Sequence, residues 1–136
     1  MIMNTNKTKI VLAAVLVVLV TLACGTGYRT TYKTSGNSGT IRVRMKDADG
    51  ANQTKIEINE DYFRESVQIQ AAFSVESGTC QAVLTGEEGS RVSLEASGGS
   101  PGQTQGQLIT DGFGEIDLET NCQAGINLDL VIDFTR

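Results

Sequence analysis

From Thr40 to the end of the chain, apolar and polar side chains alternate with a period of two. Ile41, Val43 and Met45 interleave with Arg42, Arg44 and Lys46, and Ile56 and Ile58 with Lys55, Glu57 and Asn59. A longer run sets Val67, Ile69, Ala71, Phe73 and Val75 against Gln68, Gln70, Ala72, Ser74 and Glu76. Successive side chains of a strand point to opposite faces, so each run predicts a strand with one face on a core and the other in water. The last run is the cleanest: Ile126, Leu128, Leu130, Ile132 and Phe134 face in, and Asn127, Asp129, Asp133 and Thr135 face out. Between the runs stand turn formers. Asp47-Ala48-Asp49-Gly50-Ala51-Asn52 predicts a hairpin joining the runs at 40–46 and 55–59. Gly86-Glu87-Glu88-Gly89 predicts a second, joining CQAVLT to SRVSLEA. The strands QLIT and GEIDLET flank Asp111-Gly112-Phe113-Gly114, and GGSPGQTQG (98–106) reads as a polar loop.

Turn signals every 8–12 residues or so, with no helical period after the first two dozen residues, predict an all-β, antiparallel β-sandwich of about seven or eight strands. A parallel sheet would need crossover helices. The stretch GSRVSLEASGG, LITDGFGEIDLET and AGINLDLVI resembles bacterial immunoglobulin-like and transthyretin-like modules, with Thr110-Asp111-Gly112-Phe113-Gly114 at the turn position. That resemblance implies an immunoglobulin-like sandwich with a binding or spacer role.

The first residues are organised differently. Lys7 and Lys9 precede an unbroken apolar run (10–20), followed by Thr21-Leu22-Ala23-Cys24-Gly25. A basic start, a short apolar stretch and a small residue at a cleavage point make a secretory signal. The apolar stretch through Ala23 is about 14 residues, whereas a spanning helix needs roughly 20. With Cys24 directly after the cut, the segment resembles the lipobox of bacterial lipoprotein precursors, although Thr21 and Leu22 stand where that family prefers Leu and a small residue. The resemblance implies a signal helix over 1–23, a diacylglyceryl group on Cys24 and a membrane partner held through it. Residues 24–39, rich in Gly, Ser and Thr, read as a flexible tether. Its Arg29 and Lys33 suit lipid headgroups or an anionic envelope polymer. The sandwich then occupies 40–136.

Composition narrows the function. The 136 residues carry a net charge of −5 with no histidine and no tryptophan. Without Lys7 and Lys9 the net is −7, and from Thr40 onward it is −9. Such a domain repels phosphate backbones, which excludes nucleic acid as a partner. Once Cys24 is assigned to lipid, Cys80 and Cys122 form an even pair. In an exported chain that is most simply a disulfide. A metal pair or a reactive thiol are the competing readings, but two thiolates alone do not complete a tetrahedral zinc site.

Little catalytic chemistry is available. Without histidine there is no Ser-His-Asp or Cys-His arrangement, and no phosphate loop lies between a strand and a helix. No cofactor is implied. Asp47, Asp49 and Asn52 alternate as oxygen ligands around Gly50, loosely like part of a calcium loop, though Asp and Gly also simply build turns. Arg42, Arg44 and Lys46 form a basic stripe, for which Glu57 is the expected cross-strand partner. Glu115, Asp117 and Glu119 form an acidic one. Tyr62 and Phe63 share one loop, so one is expected to cap the core and the other to serve as a recognition anchor. Arg42 and Arg44 are further candidates for partner contact. The expected protein is therefore a non-enzymatic, envelope-anchored lipoprotein outside the cytoplasm, acting as an interaction or spacer module. The alternative is a surface lipoprotein that binds calcium, carbohydrate or another small ligand.

Overall fold

The structure of the protein, a computed structural model, describes residues 28–136; the signal segment and Cys24 lie outside the described residues. Eight strands follow in order: β1 (Arg29–Ser35), β2 (Ser38–Asp47), β3 (Gly50–Glu57), β4 (Ser66–Ser74), β5 (Ser77–Thr85), β6 (Arg91–Ser97), β7 (Gly102–Ile109) and β8 (Glu115–Thr135). All pairings are antiparallel. They build two layers that share β8. One layer runs β1-β2-β8-β4-β7, and the other runs β3-β8-β5-β6. No helix of the described residues is long and apolar enough to cross a membrane.

The 21-residue β8 organises both layers. Its first half pairs with β3 and β5, and its second half with β2 and β4. The change of partners occurs over 124–127. Ala124 and Asn127 adopt left-handed backbone there, at φ 53° and 52°. Gly125, between them, is buried. A Cβ on it would stand 2.8 Å from both Cys122 Cβ and Cys80 Sγ. The corner is tied from two sides. The N–H of Ala48 donates to Gly125 O at 3.0 Å, the N–H of Ala124 to an Asp49 carboxylate oxygen at 2.8 Å, and the N–H of Glu76 to Ile126 O at 3.0 Å. Just before the corner, Cys80 of β5 and Cys122 of β8 face each other in register and form a disulfide. Such bonds persist in chains that fold outside the reducing cytoplasm.

The core lies between the layers. Ile41, Val43, Leu130, Ile132, Ile69 and Phe73 come from the larger layer, and Ile56, Ile116, Leu118 and Leu84 from the smaller. Each is 2% exposed or less, as the alternation requires. Ile126 departs from it and is 48% exposed, because the corner turns its side chain away from the core.

Several expectations are corrected by pairing over long range. Residues 29–35 are not tether but β1, paired along its whole length with β2. As a polar edge strand it buries Thr30 and leaves residues 31–34 exposed, so no apolar alternation marks it. The runs on either side of Asp47–Gly50 form no hairpin with each other. Both find their partner in β8, so the connection crosses from one layer to the other. Glu57 accordingly sits opposite Glu115, not Arg44 or Lys46. The polar segment after Pro101 is β7, paired with β4. Its inward positions are small because β6 is close: a Cβ on Gly106 would stand 2.7 Å from Val92 Cγ2. The hairpin of β5 and β6 is present as expected. In an immunoglobulin sandwich each strand belongs to one sheet. The shared β8 replaces that order here.

The corner makes opposite predictions for neighbouring residues. Gly125→Ala should cost about 1–3 kcal/mol through overpacking against the disulfide. Ala124→Gly should leave stability unchanged or raise it by up to about 1 kcal/mol, since glycine tolerates the left-handed backbone. The double variant Cys80→Ala, Cys122→Ala should lose about 2–4 kcal/mol. Urea unfolding of the three variants beside the wild type measures each difference.

Candidate ligand-binding face

Alternation that sends Ile69, Ala71 and Phe73 inward sends Gln68, Gln70 and Ala72 outward on β4. On β7 the same register exposes Gln103, Gln105 and Gln107. The pairing aligns Gln68 with Gln107, Gln70 with Gln105 and Ala72 with Gln103. Two rows of primary amides therefore face each other, roughly 5 Å apart across the strands. Gln107 donates to the Ser66 hydroxyl. The side-chain amides of Gln68, Gln70, Gln103 and Gln105 have no hydrogen-bond partner among the described residues. Small Ala72 leaves a groove of about 420 Å³ between the rows, lined by Gln70, Gln103, Gln105 and Asp133. Each amide brings two donors and an acceptor. The amides themselves are uncharged, so what this half of the face offers a ligand is hydrogen bonding, with the Asp133 carboxylate at its edge.

Across β8 the same outer face becomes charged. Asp129 accepts from Arg42 at 2.9 Å (Nε) and 2.5 Å (Nη2), and Arg44 Nε lies 3.9 Å away. The paired Arg42 holds the Asp129 carboxyl below the usual carboxylate range, against the opposing effect of partial burial. Thr40 donates to Asp133 at 2.6 Å. The basic stripe of β2 is thus matched by acids of β8. Beyond it, β1 adds Arg29 opposite Arg44 and Lys33 opposite Thr40. A second groove of about 470 Å³ is lined by Arg29, Arg44, Lys46, Asn127 and Asp129.

The other candidates lie elsewhere. Asp47 and Asp49 spend a carboxylate oxygen each on a backbone N–H, of Asp49 (3.2 Å) and Ala124 (2.8 Å), while Asn52 sits in β3 opposite Thr120. Among the described residues no group of three or more metal-ligating side chains comes together. Tyr62 is 1% exposed and meets Phe134 edge-on, whereas Phe63 is 68% exposed with the Arg64 guanidinium 5.7 Å from its ring. Phe113, in the 110–114 turn, is 75% exposed and belongs to the same tip. The two loops are joined by Arg64 N–H to Asp111 O (3.0 Å) and Thr110 N–H to Glu65 O (2.9 Å). Lys55 lies 3.4 Å from both Asp111 and Asp117, on the acidic stripe of the smaller layer. Burial raises Asp111's pKa, but the N–H groups of Glu115 and Phe113 and the Lys55 ammonium outweigh it and draw the carboxyl down.

The glutamines of β7 and the aromatic Phe113 were both legible as residues and missed as site members. QTQGQ alternates as strictly as any strand here, but with glycine and threonine on its inner side.

No family model matches the chain, and no curated protein matches it either. Solved structures are similar at low level. A carbohydrate-binding module of Cellvibrio mixtus lichenase 5A in complex with cellotriose is 15% identical with a TM-score of 0.38, covering 84% of this chain and 90% of that one. The CBM22-1 xylan-binding domain of Paenibacillus barcinonensis Xyn10C is 11% identical with a TM-score of 0.41, covering 79% and 78%. Procruciferin, the 11S globulin of Brassica napus, is 9% identical with a TM-score of 0.38, covering 79% of this chain and 25% of that one.

The Asp129 cluster predicts an acid limb. A carboxylate whose pKa is depressed by folding stabilises fully above its unfolded pKa and loses that contribution as pH falls through the folded value. Asp129→Asn should melt below wild type near neutrality, and the gap should narrow below about pH 4. Thermal melts of both proteins from neutral to acid pH read it directly.

Proposed function

We propose that this chain is a non-catalytic binding module for polysaccharide, exported and held at a membrane through lipid on Cys24. The observation that carries the reading is the double row of unpartnered glutamine amides over the groove between β4 and β7. Sugar hydroxyls are donors and acceptors at once, and so are amides. Projection from a paired sheet fixes the two rows in space, so a polymer meets a preorganised surface. The sequence contains no histidine, so no hydroxyl of the face has an imidazole base beside it. The Cys80–Cys122 disulfide accords with a place outside the cytoplasm.

Mobility in native gels containing soluble polysaccharides, neutral and acidic, tests the reading. At about 0.5–1.5 kcal/mol per hydrogen bond, Gln70→Ala with Gln105→Ala should weaken binding roughly 5- to 100-fold while leaving the melting temperature in place. Unretarded migration of the wild type in every polymer would sink it. The anchor has its own test: Cys24→Ser should abolish labelling by an alkynyl fatty acid and move the protein from the membrane to the soluble fraction.

A second reading rests on a different observation, the exposed Phe63 and Phe113 at one end of the sandwich. Paired exposed aromatics mark protein-recognition anchors. On that reading the module engages a protein partner, and Phe63→Ala with Phe113→Ala abolishes crosslinking to it in intact cells.

A further inference from the structure

We infer that the polymer on this face is a polyanion: a glycan bearing carboxylate or phosphate groups, seated across both grooves of the five-stranded layer. The inference rests on the polysaccharide reading and names the class of polymer. Its basis is how charge is distributed. The described residues hold nine basic against sixteen acidic side chains, a net of −7. Five of those nine, Arg29, Lys33, Arg42, Arg44 and Lys46, project from the outer side of β1 and β2. Asp129 and Asp133 are the acids that β8 sets beside them, so the region is positive on an otherwise negative domain.

The arrangement is costly without a ligand. Arg29 and Arg44 stand directly opposite each other. Like charges in that relation destabilise a sheet. Asp129 is already taken by the bidentate Arg42, and Arg44 reaches it only at 3.9 Å. Arg29 and Lys46 have no ion-pair partner among the described residues. An anionic group in the groove bounded by Arg29, Arg44 and Lys46 offsets their mutual repulsion, and guanidinium forks match carboxylate and phosphate bidentately. From there a chain crosses β8 to the amides of Gln70 and Gln105, in the row Lys33, Thr40, Asp133, Gln70, Gln105 that the register lays across the layer. A single polymer touches only this face, where five cations outnumber the Asp129 and Asp133 carboxylates that it crosses. An extended anionic membrane surface would also meet the acidic remainder of the domain and be repelled by it.

The probes are polygalacturonate, its methyl ester and a phosphomannan, titrated calorimetrically onto the full mature chain, with phosphatidylglycerol vesicles alongside. One of the two anionic polymers should bind, tenfold or more tighter than the neutral ester, and raising salt should weaken it at least tenfold. Arg29→Gln with Arg44→Gln and Lys46→Gln should remove that preference without lowering the melting temperature, since it relieves the like-charge opposition. The inference is overturned if the ester binds as tightly as the acid or if the triple variant keeps the preference. In those cases loss of binding in the Gln70→Ala, Gln105→Ala variant still upholds a polysaccharide module. Binding to vesicles alone, or to no probe, overturns the inference, and the native-gel series with neutral polymers then decides the polysaccharide reading by itself.

Discussion

The corner in β8 is the constraint on which the rest depends. One strand supplies partners to four others, and its change of partners at 124–127 puts those four into two layers. That change needs two left-handed residues and one position with no side chain. Non-glycine residues adopt left-handed backbone at a cost of roughly 1–2 kcal/mol each, which the surroundings must offset. Backbone hydrogen bonds from Ala48 and Glu76, a carboxylate from Asp49 and the adjacent disulfide do so. Asp49, a natural candidate for a cation ligand, is thereby committed to the architecture.

The character of the outer surface follows from the same constraint. Once β8 enters the larger layer between β2 and β4, its Asp129 and Asp133 separate a basic side from an amide side. The result is a face of three bands: arginines and lysines, then carboxylates, then glutamines. Each band comes from a different part of the chain, and the bands meet only because pairing over long range sets strands 90 residues apart side by side, as Thr40 and Asp133 (93 apart) illustrate. The smaller layer exposes a different surface, acidic along Glu115, Asp117 and Glu119 with Lys55 between. The two sides of the sandwich are therefore electrostatically distinct.

Phe63 and Phe113 present a third kind of surface. Their loops are locked by the buried Thr110, whose hydroxyl donates to Tyr62 O at 2.8 Å and accepts from Glu65 N–H at 2.9 Å. Rigid loops holding exposed rings lose little entropy on binding. Tyr62, by contrast, spends its ring on Phe134 and the Arg136 guanidinium.

Local sequence determined the strands with strong alternation, the inward and outward sides of β2, β4, β6 and the second half of β8, and the adjacency of Cys80 to a partner cysteine. Those properties depend on a residue and its near neighbours: the two-residue period, the turn chemistry of Gly86 to Gly89, the count of thiols. Strand β1 and the first part of β7 (102–106), which lack apolar alternation, were hidden, because an edge strand buries little and β7 needs small residues where β6 approaches; only its end, in QLIT, was legible. Tertiary structure alone decided which strand lies beside which. Backbone hydrogen bonds are alike at every residue, so pairing carries no signature of its own. It is settled by how two apolar faces close over one core, and that closure brings Arg29 to Arg44 and Gln70 to Gln105.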